Sequence, residues 1–228
     1  MVGVDSELRR YYAERAAEYD LVYEKPERQA DLAALRSWVP SRFTGSRVLE
    51  IACGTGYWTQ SVASVAAKVV ALDAAPETLA LARSRPANAA VRFLVADAYR
   101  LPGGLGRFDA ALAAFWFSHV PLARRREFLR SLASVLTPGA RAVLVDNRYV
   151  EGSSTPLCDR DADGNSYQLR RLADGSSHRV LKNFPTEAEL RSAVADVGER
   201  FRFTAFDYYW AVEFDTLGGS RRGDVGQS

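Results

Sequence analysis

The chain is short of long hydrophobic runs: its longest unbroken apolar stretch, Ala110 to Phe117, is eight residues, against the ~20 that a membrane-spanning helix requires. No transmembrane segment and no membrane partner are expected. Cysteine is scarce as well. Cys53 and Cys158 are the only two, enough for one disulfide at most and too few for a spaced zinc cluster. A reducing compartment fits, and no metal site is expected. Net charge is nearly absent, +2 from 30 basic and 28 acidic residues, so no general field of one sign draws in nucleic acid or anionic lipid. Only a local patch is left open. Lysine is limited to Lys25, Lys68 and Lys182, which with abundant Ala reads as coding bias and carries no mechanism. Fixed-period repeats and low-complexity tracts are missing, which removes solenoids and propellers. The first thirty residues carry Arg9, Arg10, Glu14, Arg15, Glu18 and Asp20 and lack the apolar core of a secretory signal. A cytoplasmic location is the expectation.

What is present is the composition of a folded globule, 47% hydrophobic and 25% charged over 228 residues. One elaborated domain is expected over 1–217, with 218–228, rich in Gly and Arg, as a frayed tail. Asp5 to Tyr23 and Glu27 to Val39 read as two helices, the second stopped by Pro40. Short apolar strands then alternate with helices: Val48 to Ile51, a helix from Gly56 to Ala66, Val69 to Leu72, and a helix from Glu77 to Arg83 opened by Pro76. Val91 to Val95, Ala110 to Phe115 and Ala140 to Val145 continue the strands, with a helix from Arg124 to Leu136 closed by the Thr137-Pro138-Gly139 turn. This alternation predicts a mostly parallel sheet covered on both faces. From 151 to 184 the texture changes, and Asp174-Gly175 between two strand-like runs signals a hairpin. A helix from Glu187 to Val197 and strands at Phe201 to Phe206 and Tyr208 to Phe214 restore the alternation.

The most informative stretch is Val48-Leu-Glu50-Ile-Ala52-Cys53-Gly54-Thr55-Gly56-Tyr57-Trp58-Thr59, a strand running into a Gly-containing turn and a helix. Glycines let a backbone approach a ligand where a Cβ would clash. The dinucleotide fingerprint fails here, because its third Gly position is Thr59. Glu50 at the strand's end would repel a pyrophosphate and attract a cationic amino group. Asp73 ends the next strand, where a carboxylate can accept two ribose hydroxyls, and Asp97 ends the third. In an open parallel sheet such strand ends share one rim, where these sheets bind ligands. Each acid alone could equally cap the turn that follows it; three in succession after a Gly loop point to a site. Cys53 inside the loop reads as a buried small residue, not a nucleophile.

With Glu50-Ile-Ala-Cys-Gly54-Thr-Gly56, Asp73, Asp97-Ala98 and Phe108-Asp109-Ala110, the sequence resembles the class I S-adenosylmethionine-dependent methyltransferases over residues 10 to 215. The resemblance implies a Rossmann-like α/β fold: a mostly parallel seven-stranded sheet with helices on both faces, a helical lid at 1–40 and a β-hairpin inserted at 151–184 after strand 5. It implies S-adenosyl-L-methionine as cofactor, with Tyr19, Arg28, Glu50, Ala52, Gly54, Gly56, Asp73, Ala74, Asp97, Ala98 and Phe115 around it. Arg28 would meet the cofactor carboxylate, Asp73 the ribose, and Asp97 with Ala98 the adenine. Ala52 departs from the family's commoner Gly.

The Asn/Asp-Pro-Pro-aromatic run of base N-methylating relatives is missing after the fourth strand, which instead reads Phe115-Trp116-Phe117-Ser118-His119. His119 has the near-neutral pKa of a proton acceptor; it could equally serve only to fix its loop. Tyr11, Tyr12, Tyr19 and Tyr23 can share a helix face, either as core or, with Tyr19, as a lid over the cofactor. His119 and Tyr19 are the candidate catalytic residues, and Tyr11, Tyr23, Trp116, His119, Arg148 and Tyr167 the candidate acceptor contacts. The function expected is methyl transfer to an O or N atom of a small molecule, a specialised metabolite or heterocycle, by a monomer or homodimer with no nucleic-acid partner. RNA or protein methylation, a non-catalytic cofactor-binding regulatory subunit and a nicotinamide reductase are the rivals; Glu50 and Thr59 count against the last.

Overall fold

The structure is a computed structural model that describes residues 10–85 and 91–217. Seven strands form one sheet in the order β3-β2-β1-β4-β5-β10-β9, namely β1 (Arg47–Ile51), β2 (Lys68–Asp73), β3 (Val91–Val95), β4 (Phe108–Ala114), β5 (Leu136–Asn147), β9 (Gly198–Ala205) and β10 (Tyr209–Thr216). The first five run parallel, and β10 lies antiparallel to both its neighbours. The central strands are buried on both faces, which is why Val48-Leu-Glu-Ile and Ala110 to Ala113 are nearly continuous apolar runs. One apolar cluster packs β1, β4 and β5 against the helices Arg125–Ser134 and Glu187–Val194; the other packs the opposite face against Gln29–Ser41, Tyr57–Ala63 and Pro76–Ser84. Thr186 and Glu189 form a reciprocal capping box at the start of the helix Glu187–Val194.

The expected elements recur with three differences. Asp5 to Tyr23 was expected as one helix; residues 10–14 are helical and Ala16–Tyr23 is a 3-10 helix, while 5–9 lie outside the described residues, as does the expected tail 218–228. Thr137-Pro138-Gly139 does not end at a turn before a strand but lies inside β5, where the register against β4 shifts between Phe108 and Ala110. Such an irregularity accommodates a Pro that a regular ladder would reject. The inserted hairpin is a three-stranded antiparallel sheet, because β6 (Leu157–Arg160) joins β7 (Ser166–Arg171) and β8 (Ser177–Leu181). Exposed and only four residues long, β6 lacks the apolar alternation that would announce it. This small sheet packs on the N-terminal segment through Tyr11, Leu172 and Val180.

Candidate active site

The rim at the carboxyl ends of β1 to β4 carries a narrow cleft. Its floor is the turn after β1, where Ala52, Gly54 and Gly56 all have positive φ of 52°, 55° and 77°. Ala52 therefore sits in a conformation that glycine adopts without strain, which accounts physically for the family's commoner residue. At Gly56 the requirement is packing: a Cβ there would stand 3.0 Å from that of Ala82, so Gly56 seats one helix against the next and does not line the cleft.

Asp73 lines the cleft at the end of β2. Its Oδ2 accepts from the Gly54 N–H at 2.9 Å, and its Oδ1 from the Ala75 N–H at 2.9 Å and Thr78 Oγ1 at 3.2 Å. Burial raises its pKa, and these donors oppose the rise. The carboxylate is thus aimed and held by the loop it faces. Ala74, Ala96, Asp97, Ala98 and Tyr99 continue the wall, and Tyr12, Tyr19, Phe115, Trp116 and His119 close the other side. Phe115 also has a positive φ, 59°, a strained turn that directs the chain off β4. The N-terminal segment is tied to the loop by Asp20, which accepts from Thr55 Oγ1 at 2.7 Å and pairs with Arg85. That clamp lays the Tyr19 ring over Gly54.

Glu50 belongs beneath the cleft rather than on its wall. It is 1% exposed, its Oε2 has no hydrogen-bond partner, and burial pushes its pKa up to about 8 despite the Thr59 hydroxyl nearby. The Cys53 thiol is likewise pushed well up by burial, then by Glu50 and Asp73, so no thiolate forms there.

His119 is buried. Its Nδ1 lies 2.6 Å from the Leu181 carbonyl of β8 and its Nε2 2.7 Å from Tyr12 Oη. A carbonyl only accepts, so Nδ1 carries the proton and Nε2 accepts from the Tyr12 hydroxyl. Burial, then Lys182 and Arg170, hold the His119 pKa well below its ordinary value, which corrects the near-neutral expectation: the imidazole is neutral and its protonated form disfavoured. Beside it, Asp146 at the end of β5 is fully buried. It accepts from the Ser118 N–H at 2.9 Å, Ser118 Oγ at 2.8 Å and Lys182 Nζ at 2.9 Å. Burial alone would raise that carboxyl, but Lys182 and these donors keep it below the usual range, while burial lowers Lys182 to about 8.

Four expected acceptor contacts, and one expected cofactor contact, lie elsewhere. Arg148 is exposed and donates to the Phe206 carbonyl at 2.6 Å. Tyr167 gives its hydroxyl to Asp161 at 2.8 Å beneath the Arg179 guanidinium. Tyr23 stacks on Tyr57 at 3.8 Å in the core behind Phe115. Tyr11 lines a second cavity, as does Arg28, expected at the cofactor carboxylate; neither lines the cleft. The segment 10–23 divides the two hollows, with Tyr12 and Tyr19 facing one and Tyr11 and Arg15 the other. Tyr12 was not singled out as an acceptor contact, although its seven-residue spacing from Tyr19 carried the signal. Lys182, Arg170 and Thr78 offered no motif. Among the described residues no group of His, Cys, Asp and Glu is arranged to hold a metal ion.

A methyltransferase-domain family matches residues 48–139. The O-methyltransferase cnsE of Penicillium expansum is 35% identical over 202 residues, covering 80% of this chain and 64% of that protein. A ubiquinone biosynthesis O-methyltransferase of Xanthomonas axonopodis pv. citri (strain 306) is 32% identical over 158 residues, covering 68% of this chain and 62% of its own length. The chain thus spans less than two thirds of these curated relatives. Among solved structures, the DhpI-SAM-HEP complex superposes with a TM-score of 0.79 at 29% identity, covering 94% of this chain and 98% of that one. Since that likeness takes in the added N-terminal segment and inserted sheet as well as the central sheet, and the Gly loop with its acids lies on the rim such sheets use, the chain is built like the class I S-adenosylmethionine-dependent methyltransferases in fold and in the layout of its rim.

Proposed function

We propose that the chain transfers a methyl group from S-adenosyl-L-methionine to an O or N atom of a small molecule, a specialised metabolite or heterocycle, by in-line displacement. The observation that carries the reading is the Asp73 carboxylate, oriented by Gly54, Ala75 and Thr78 and facing a cleft that also holds Asp97 and the strained Ala52 turn. These residues fit the cofactor: Asp73 would take the ribose hydroxyls, Asp97 and Ala98 the adenine, and the turn at 52–54 the amino-acid end. When bound, the cofactor supplies an electrophilic methyl group on a positively charged sulfur.

The protein's part is alignment and exclusion of water. Tyr12, Tyr19, Phe115 and Trp116 surround the cleft with aromatic rings, whose faces favour a cation without offering it a competing nucleophile. With its conjugate acid disfavoured by burial and two neighbouring cations, His119 is a weak base. It serves best as the fixed acceptor that holds the Tyr12 hydroxyl and joins the Ser118-His119 turn to the inserted sheet. The segments 10–28 and 151–184 would form a lid over the rim. No helix among the described residues is long and apolar enough to cross a membrane.

Calorimetry tests the reading. S-adenosylmethionine and S-adenosylhomocysteine should bind and NAD should not, and Asp73→Ala should weaken cofactor binding by about 1 to 3 kcal/mol, the worth of charge-assisted hydrogen bonds. Equal affinity of the variant would remove Asp73 from the site.

A further inference from the structure

Behind the segment 10–23, on the side away from the Asp73 cleft, lies a second cavity of about 350 Å³. Its charge is lopsided. Arg15, Lys25, Arg28, Arg170, Arg171 and Lys182 line it against a single acid, Glu18, in a chain whose overall balance is only +2. Surface clusters of this kind are ordinarily dispersed in water, but here Arg28 and Lys182 are buried and Arg15, Lys25 and Arg170 only partly exposed.

Arg28 is 3% exposed, and its guanidinium donates only to neutral groups, Ser153 Oγ and Asn147 Oδ1, both at 3.0 Å, with the Tyr208 and Tyr209 rings beside it. Glu27, at the surface, accepts from the Ser153 hydroxyl and feels the charges of Arg28 and Lys25 without a direct hydrogen bond to either. Arg170, half-buried, donates to the neutral Gln168 amide oxygen at 3.2 and 2.9 Å. Lys25 donates to the Ser153 carbonyl. Of the six cations only Lys182 meets a carboxylate, Asp146, among the described residues. A buried guanidinium is ordinarily paired with an anion, and this cavity holds the buried Arg28 and the half-buried Arg170, whose hydrogen-bond acceptors are all neutral.

The cavity and the cleft lie back to back across Tyr11 and Tyr12. Arg170 is close enough to Tyr11 and Tyr12 to interact with both hydroxyls, and Tyr12 bonds His119 on the cleft side. Lys182 feels the charges of both Arg170 and Arg28. A molecule anchored by an anionic group here could reach the cleft past one tyrosine.

We infer that the methyl acceptor is a small organic anion, held by its oxyanion group on Arg170 and Arg28 in this cavity, with the acceptor atom extended past Tyr12 toward the cleft. The inference rests on the methyltransferase reading for the reaction but not for the anion site. A cofactor carboxylate would occupy one arginine at most, and the concave, small hollow suits a metabolite rather than a polymer, which would need an open basic stripe.

The test uses the unaltered chain saturated with S-adenosylhomocysteine, titrated calorimetrically with 4-hydroxybenzoate and with its uncharged isostere 4-hydroxybenzamide. The acid should bind at least about tenfold tighter, with an advantage that shrinks as salt rises. Arg170→Gln should abolish that preference and leave the affinity for S-adenosylhomocysteine unchanged. Equal binding of acid and amide, or failure of both to bind, overturns the inference. So does a loss of S-adenosylhomocysteine affinity in Arg170→Gln and Arg28→Gln with the acid preference intact, which would assign the cations to the cofactor. Should S-adenosylhomocysteine fail to bind while the acid still outranks the amide, the anion site stands and the methyltransferase reading falls.

Discussion

The two hollows on either side of residues 10–23 are built in opposite ways. The cleft gathers acids, Asp73 and Asp97 on its wall and Glu50 beneath, each placed by the end of a parallel strand. The second cavity gathers cations from the N-terminal segment, the 3-10 turn at Pro26–Arg28 and the inserted sheet. Strand ends are rigid and share one rim, so the acids are held by backbone donors such as Gly54 and Ala75. The cations have no such frame and are held by one another's neighbours, Ser153, Asn147, Gln168 and Asp146. A sheet rim is a ready-made site; an inserted sheet supplies what a particular substrate needs.

The contrast is broken most severely where the cationic side is anchored to the sheet. Lys182→Met would leave Asp146 buried without its ammonium, which should cost about 3 to 5 kcal/mol of stability. Chemical denaturation measures it, and the double variant Asp146→Asn/Lys182→Met should recover most of the loss. A single variant as stable as the parent would mean that the Ser118 and Asn147 donors satisfy Asp146 without the ammonium.

On the acidic side the effect is one of pH. The Glu50 carboxyl is pushed up to about 8 in the folded chain from an ordinary 4.5. A raised folded-state value means that the folded chain holds the extra proton between those limits. Stability from this group is therefore full below pH 4.5 and falls as pH rises to about 8, at roughly 1.4 kcal/mol per unit at most. Thermal midpoints of the cofactor-free protein from pH 5 to 9 should show that decline, and Glu50→Gln should flatten it. Parallel profiles would show that Glu50 finds a partner that Oε2 lacks in the structure.

The smallest expected effect sharpens the comparison at the loop itself. Ala52→Gly relieves a residue at φ 52°, a gain of about 1 kcal/mol, offset by the greater freedom of glycine in the unfolded chain. The net change should lie within about 1 kcal/mol, with cofactor affinity retained. A larger loss would mean that the Ala52 methyl is itself a cofactor contact.

Much of this was legible in the residues. β1 extends its apolar run by one residue, β2 by one at each end, and β4 starts two residues earlier and stops one short, because a doubly covered parallel strand must be nearly apolar throughout. The edge strand β3 matches its run although it is only half-covered. Asp73 and Asp97 follow from their positions just after such runs. Tyr167 and Arg148 did not, because nothing in their local sequence distinguishes a residue that roofs a pocket from one that bonds Asp161 or the Phe206 carbonyl. Glu50 was legible as an acid at a strand end, but whether it faces the cleft or lies under the loop depends on how the turn folds over it.

By itself the sequence determined the parallel sheet, the glycine turn and the row of acids on one rim, because each is encoded by short-range pattern: strand period, left-handed backbone, and the residue after a strand. Tertiary structure alone decided that the tyrosine segment would split into two faces, that Tyr12 would hold His119, and that Arg28, Arg170 and Lys182 would meet in one hollow. Those residues lie up to 154 positions apart, and charges so distant in sequence are brought together only by the packing of the N-terminal segment on the inserted sheet, which no local period records.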